Sequence, residues 1–94
     1  MQTFLIERTI PAAFKPDDPE VVATHCRWAT DGYHAIGAHW LGGVVTPDAM
    51  WSLVAAEQAD DMRRYWAALA IPEADARLRP VVRAIGPFFA APRP

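Results

Sequence analysis

Residues Trp40 to Pro72, WLGGVVTPDAMWSLVAAEQADDMRRYWAALAIP, carry the reading that decides the fold. Two runs rich in β-forming residues flank Thr46-Pro47-Asp48-Ala49, where Pro47 sets φ for the second turn position and Asp48 can bond its own backbone. A helix then opens on Asp60 and Asp61, continues through Arg63 and Arg64, and stops before Pro72. Acids in the first turn suit the positive end of the helix dipole. The segment is therefore a β-hairpin feeding an amphipathic helix.

The flanking sequence supplies the other half. Residues 3–10, TFLIERTI, are rich in β-branched and aromatic types and end at Pro11, which predicts a first strand. The loop PAAFKPDDP follows, and its prolines and paired aspartates cannot continue that strand. Asp18, Pro19 and Glu20 read as an N-cap and first turn of a helix running to about Asp31 or Gly32. The last β signal lies in residues 76–86, where Pro80 points to an edge or a bulge. Strands are thus predicted over 3–10, 38–46, 50–57 and 77–85. The order βαββαβ, with right-handed crossovers, gives an α+β ferredoxin-like fold: a four-stranded antiparallel sheet with both helices on one face. The 94 residues make one domain, 1–94, with 87–94 expected to be a flexible tail.

Composition narrows the partners. Apolar residues are 52% of the chain against 21% charged, so a sheet covered on one side only is expected to hide its other face against a second copy. That predicts a homodimer in the manner of dimeric α/β barrels. Nine basic residues against 11 acidic ones leave no electrostatic footprint for nucleic acid. No apolar run approaches membrane-spanning length, and MQTFLIERT does not read as a signal segment, so a cytoplasmic protein without membrane contact is expected. The single cysteine, Cys26, excludes an internal disulfide.

Facing decides which residues can do chemistry. Helical spacing groups Val22, Cys26, Ala29 and Tyr33 toward the sheet, flanked by Val21, His25 and Trp28. Ala59, Met62, Trp66 and Leu69 form the second stripe, with Tyr65 beside it. Alternation puts Phe4, Ile6, Arg8 and Ile10 on one face of the first strand and Leu5, Glu7 and Thr9 on the other. It likewise puts Trp40, Gly42 and Val44 opposite His39, Leu41, Gly43 and Val45. Glu7, a carboxylate in mid-strand, needs a partner such as Arg83 or a wet cavity. Four tryptophans exceed the usual need of so small a core. With Phe4, Tyr33 and Tyr65 they can wall an aromatic pocket between sheet and helices, or simply fill the core and a dimer interface.

The residues Glu7-Arg8-Thr9, Gly37, Trp40 and Leu69-Ala70-Ile71-Pro72 also resemble the small ferredoxin-like family typified by bacterial nickel-binding proteins, formerly a domain of unknown function. The resemblance spans Gln2 to Val82 and speaks mainly to fold. It implies metal-ligand positions at Gly42, Ser52, Ala55 and Tyr65, where the family tends to carry histidine, cysteine, an acid and histidine. Glycine and alanine offer no ligand and serine a poor one. Alternation would keep His39 from standing in at position 42, since the two are an odd number of residues apart.

Two functions are expected from these readings. The first is a small-molecule enzyme without organic cofactor, of cyclase, isomerase or oxygenase type, acting on an apolar, aromatic, polyketide-like substrate. Trp28, Trp40, Trp51, Trp66 and Gly43 would shape its pocket, Glu7 or His39 would move a proton, and Tyr65 would donate to an oxyanion. The second, which the resemblance implies, is a non-catalytic protein binding nickel or another divalent transition metal through His25, His34, His39 and Glu7.

Overall fold

The structure, a computed structural model, describes residues 1–71 and 76–86. Its elements follow the expected order: β1 (Gln2–Arg8), α1 (Pro19–Ala35), β2 (His39–Val45), β3 (Met50–Ala56), α2 (Ala59–Ala68) and β4 (Ala76–Val81). The strands form one antiparallel sheet in the order β2-β3-β1-β4. This is the ferredoxin-like arrangement. The expected tail, 87–94, lies outside the described residues.

Local chemistry explains the junctions. Asp18 accepts hydrogen bonds from the Glu20 amide at 2.9 Å and the Val21 amide at 3.4 Å, capping α1, and Pro19 follows it where a missing N–H costs nothing. In the β2–β3 turn the Thr46 amide donates to Ala49 O at 2.9 Å. Asp48 bonds the Thr46 hydroxyl at 2.9 Å rather than its own backbone, and that hydroxyl also accepts from the Ala49 amide at 3.1 Å.

Boundaries and one register differ from the sequence expectation, β1 ending at Arg8 rather than at residue 10. The first helix runs through Gly32 to Ala35 and stops at Gly37, whose φ is +79°. Gly32 is a mid-helix glycine because Tyr65 of α2 occupies the space a side chain would take there. The last strand ends at Val81, so Arg83 is not in the sheet, and Glu7 stands opposite Arg77 instead. β2 contains a bulge between Trp40 and Gly42, where Gly42 adopts φ +125°. One extra residue reverses the alternation beyond it.

The bulge corrects the face assignment. Trp40 pairs with Val54 and Gly43 with Ser52, so both lie on the helix side, whereas His39, Gly42 and Val44 pair with Ala55, Leu53 and Trp51 and share the open side. His39 and Gly42 are thus on the same face, not opposite ones. Nor does β2 lie beside β1, since β3 runs between them.

The core sits under the helices. Phe4, Ile6, Val54 and Ala56 from the sheet meet Ala29 and Tyr33 of α1 and Met62 and Trp66 of α2, all buried. Trp66 Nε1 donates to Tyr33 Oη at 3.2 Å, tying the helices together through a buried bond. The opposite face carries half-buried Leu5, Trp51 and Leu53 beside exposed Val44, with Glu7, Arg77 and Arg79 toward one edge. No helix among the described residues is long and apolar enough to cross a membrane.

Candidate functional site

A cavity of about 550 Å³ opens between the two helices, the β1–α1 loop and the helix side of the sheet. Its floor is Arg8 at the end of β1 and Ser52 in β3. His25, Trp28 and Tyr33 come from α1, Tyr65 and Trp66 from α2, and Phe14 from the loop closes one side. The size suits a small organic ligand, and most of the wall is aromatic or aliphatic.

The helices aim these side chains by ordinary spacing. His25 and Trp28 are three residues apart on the flank of the buried stripe that holds Ala29 and Tyr33. The His25 ring packs edge-on against Phe14, with centroids 5.1 Å apart, and against Trp40 at 6.4 Å. Trp40 in turn donates from Nε1 to Ser52 Oγ at 3.2 Å. Trp40 thus supports the wall from behind. Tyr65 lies against Gly32 and tilts over Tyr33 at 4.9 Å between ring centroids.

Electrostatics distinguish the polar groups. Burial, reinforced by the Arg8 guanidinium, pushes the His25 pKa below the ordinary imidazole value of 6.5. The ring is neutral at pH 7 and can accept a proton. Burial pushes the phenols of Tyr33 and Tyr65 up, against an opposing pull from Arg8 on both and from the Trp66 hydrogen bond on Tyr33. Both remain protonated donors. Arg8 itself is half-buried, and its Nε, cut off from solvent, has no hydrogen-bond partner among the described residues.

The sequence-predicted residues divide between two sides of the sheet. Trp28, Tyr65 and Trp66 line the cavity, and so does His25. Glu7 and His39 lie on the open side, and their separation is about 17 Å from four residues of strand rise and two strand spacings. Neither lines the cavity, which opens on the other face of the sheet, and β3 runs between their strands. Trp51 is also on the open side, where its Nε1 donates to Thr46 Oγ1 at 3.4 Å. Gly43 is on the helix side but leaves no ligand space, since a Cβ there would stand 2.1 Å from the Trp51 carbonyl oxygen.

Arg8 is the polar group that sequence reasoning passed over. The signal was present, because alternation groups Arg8 with Phe4 and Ile6 on the most apolar face of β1. A cation among such residues has as strong a claim to a role as the mid-strand carboxylate beside it.

The three histidines do not converge. His34 and His39 approach to 6.2 Å between ring centroids near the α1–β2 junction, while His25 faces the cavity. Among the described residues no group of three or more His, Cys, Asp or Glu side chains is placed to hold a metal ion. The positions that the family resemblance singles out also split, with Ser52 and Tyr65 in the cavity and Gly42 and Ala55 on the open face.

The chain matches no protein-family model, no curated protein and no solved structure.

Proposed function

We propose that the protein is a small-molecule enzyme that works without an organic cofactor, enclosing an apolar or aromatic substrate and moving a proton by general acid and base chemistry. The observation that carries this reading is a neutral imidazole and two protonated phenols facing one aromatic cavity. His25 takes the role first given to Glu7 and His39. It removes a proton from the carbon next to a carbonyl; the C–H electron pair becomes a C=C bond and the carbonyl π pair moves onto oxygen. Tyr65 donates its O–H to that oxyanion. In a substrate with a β,γ C=C bond, His25 returns the proton to the γ carbon and the β,γ π pair forms the new C–H bond; the enolate C=C pair shifts to the α,β position and the oxyanion pair re-forms the carbonyl, which completes an isomerisation. Trp28 and Trp66 hold the substrate's apolar body.

The test uses 2-tetralone, an aromatic ketone with exchangeable α-hydrogens. Tryptophan fluorescence is expected to titrate with it, Trp28→Ala to weaken binding, and NMR to detect protein-dependent deuterium incorporation. Absence of binding at millimolar concentration would sink the proposal. The transition-metal reading is less well supported, because His25 is apart from His34 and His39.

A cytoplasmic homodimer belongs to the same proposal. Leu5, Trp51, Leu53 and Val44 make an apolar strip on the open face, which a second copy would cover. Light scattering at micromolar concentration is expected to give twice the 10.4 kDa chain mass, and the single-chain mass would refute the dimer.

A further inference from the structure

Arg8 sets a requirement that an apolar substrate alone does not meet. It lines the same cavity as Ser52, His25 and the two tyrosines, and its charge acts on His25, Tyr33 and Tyr65. Arginine has five N–H donors and no acceptor, so a guanidinium drawn partly out of water, as half-buried Arg8 is, calls for oxygen partners. The ion pairs among the described residues are Arg63 with Asp60 and Arg64 with Asp61, both on the surface of α2. Neither involves Arg8. Two carboxylates line the cavity: Asp18 caps α1, and Glu20, exposed in the first turn of α1, makes no ion pair with Arg8. Tyr33 Oη already accepts from Trp66, and Ser52 Oγ from Trp40. Among the described residues Arg8 Nε, shut off from solvent, has no acceptor.

We infer that Arg8 is the anchor for a carboxylate on the ligand, and that the natural substrate class is an aromatic or otherwise apolar carboxylic acid. The inference rests on the cavity being a small-molecule site and adds the charge of its occupant. A carboxylate offers two oxygens in the plane that a guanidinium fork matches. The flat body of the acid would then lie toward Tyr65, Trp66 and the exposed Trp28. Burial is the larger cause of the lowered His25 pKa and the Arg8 charge the smaller; a bound carboxylate would offset the second, leaving a more basic imidazole to the extent of that contribution.

The experiment compares 2-naphthoate with 2-naphthamide, which has nearly the same shape without the charge. Tryptophan fluorescence and calorimetry are run on wild type, Arg8→Met and Arg8→Lys. Wild type is expected to bind the acid about tenfold or more tightly than the amide, the margin of a charge-assisted hydrogen-bond pair. Arg8→Met should bring the ratio close to one while melting no lower than wild type, because it removes a half-buried cation that has no ion pair among the described residues but keeps an apolar stem. Arg8→Lys should retain a preference for the acid. NMR of the His25 ring should show its pKa rising when naphthoate binds. Equal binding of acid and amide to wild type, or a preference that survives Arg8→Met, would overturn the carboxylate assignment and leave the cavity reading standing. A lower melting temperature for Arg8→Met would assign Arg8 to the fold. Failure of both probes to bind would remove the cavity reading itself.

Discussion

Replacing His25 with glutamine is expected to lower deuterium exchange into 2-tetralone by about 10²–10⁴-fold, the usual contribution of a positioned general base. Glutamine keeps a polar group of similar reach against Phe14 and Trp40 but cannot take a proton at neutral pH. Probe affinity should therefore change little while the rate collapses. Wild-type exchange should rise with pH through a midpoint below 6.5, the ordinary imidazole value, because burial and Arg8 disfavour the imidazolium. Thermal unfolding supplies an independent reading. The folded His25 binds its proton less readily than the unfolded chain does, so unfolding takes up protons in the window between the depressed folded pKa and 6.5. Stability from this group is present above that window and is lost as pH falls through it. His25→Gln should flatten that part of the stability profile. An unchanged exchange rate would remove His25 from the chemistry, and an unchanged pH profile of stability would show that its pKa is not shifted.

The largest effect on stability is expected at Gly43. A Cβ there would lie 2.1 Å from the Trp51 carbonyl oxygen and 3.3 Å from the Ser52 Cα, so relief requires movement of backbone rather than of a flexible side chain. Gly43→Ala should cost about 1–3 kcal/mol, the range for overpacking a filled site. Against a domain stability of about 5–15 kcal/mol that is a large share. The opposite sign is expected at Ala70. Hydrogen bonds from Ala70 N to Ala67 O at 3.0 Å and from Ile71 N to Trp66 O at 2.9 Å close α2 in a Schellman turn, with Ala70 held at φ +56°. A left-handed alanine is strained, and Ala70→Gly should gain roughly 0.5–1 kcal/mol after the extra chain entropy of glycine is subtracted. Chemical denaturation of the two variants checks both. If Gly43→Ala were neutral, the approach of β2 to β3 would be looser than described; if Ala70→Gly lost stability, the turn would not limit α2.

Much of this architecture was legible in the chain because the signals were local. Alternation in β1 and β3, the Thr46–Ala49 turn, the Asp18 cap and the charge order of α2 act over a few residues and carry the fold with them. The helix-side placement of Trp28, Tyr33, Tyr65 and Trp66 followed from helical spacing alone.

Tertiary structure decided the rest. The reach of α1 past Gly32 depends on Tyr65, which lies 33 residues away in the chain and occupies the space beside that glycine. The bulge in β2 depends on pairing with β3, and it moved Gly42 and Gly43 to the faces opposite those that strict alternation assigns. Strand order put β3 between Glu7 and His39, which no count along either strand reveals. The role of Arg8 depends on which face the helices cover. Sequence patterns determined the elements and their apolar faces because periodicity is a property of neighbouring residues. Only the packed molecule determined the cavity, because a site is built from side chains that long loops and sheet register bring together.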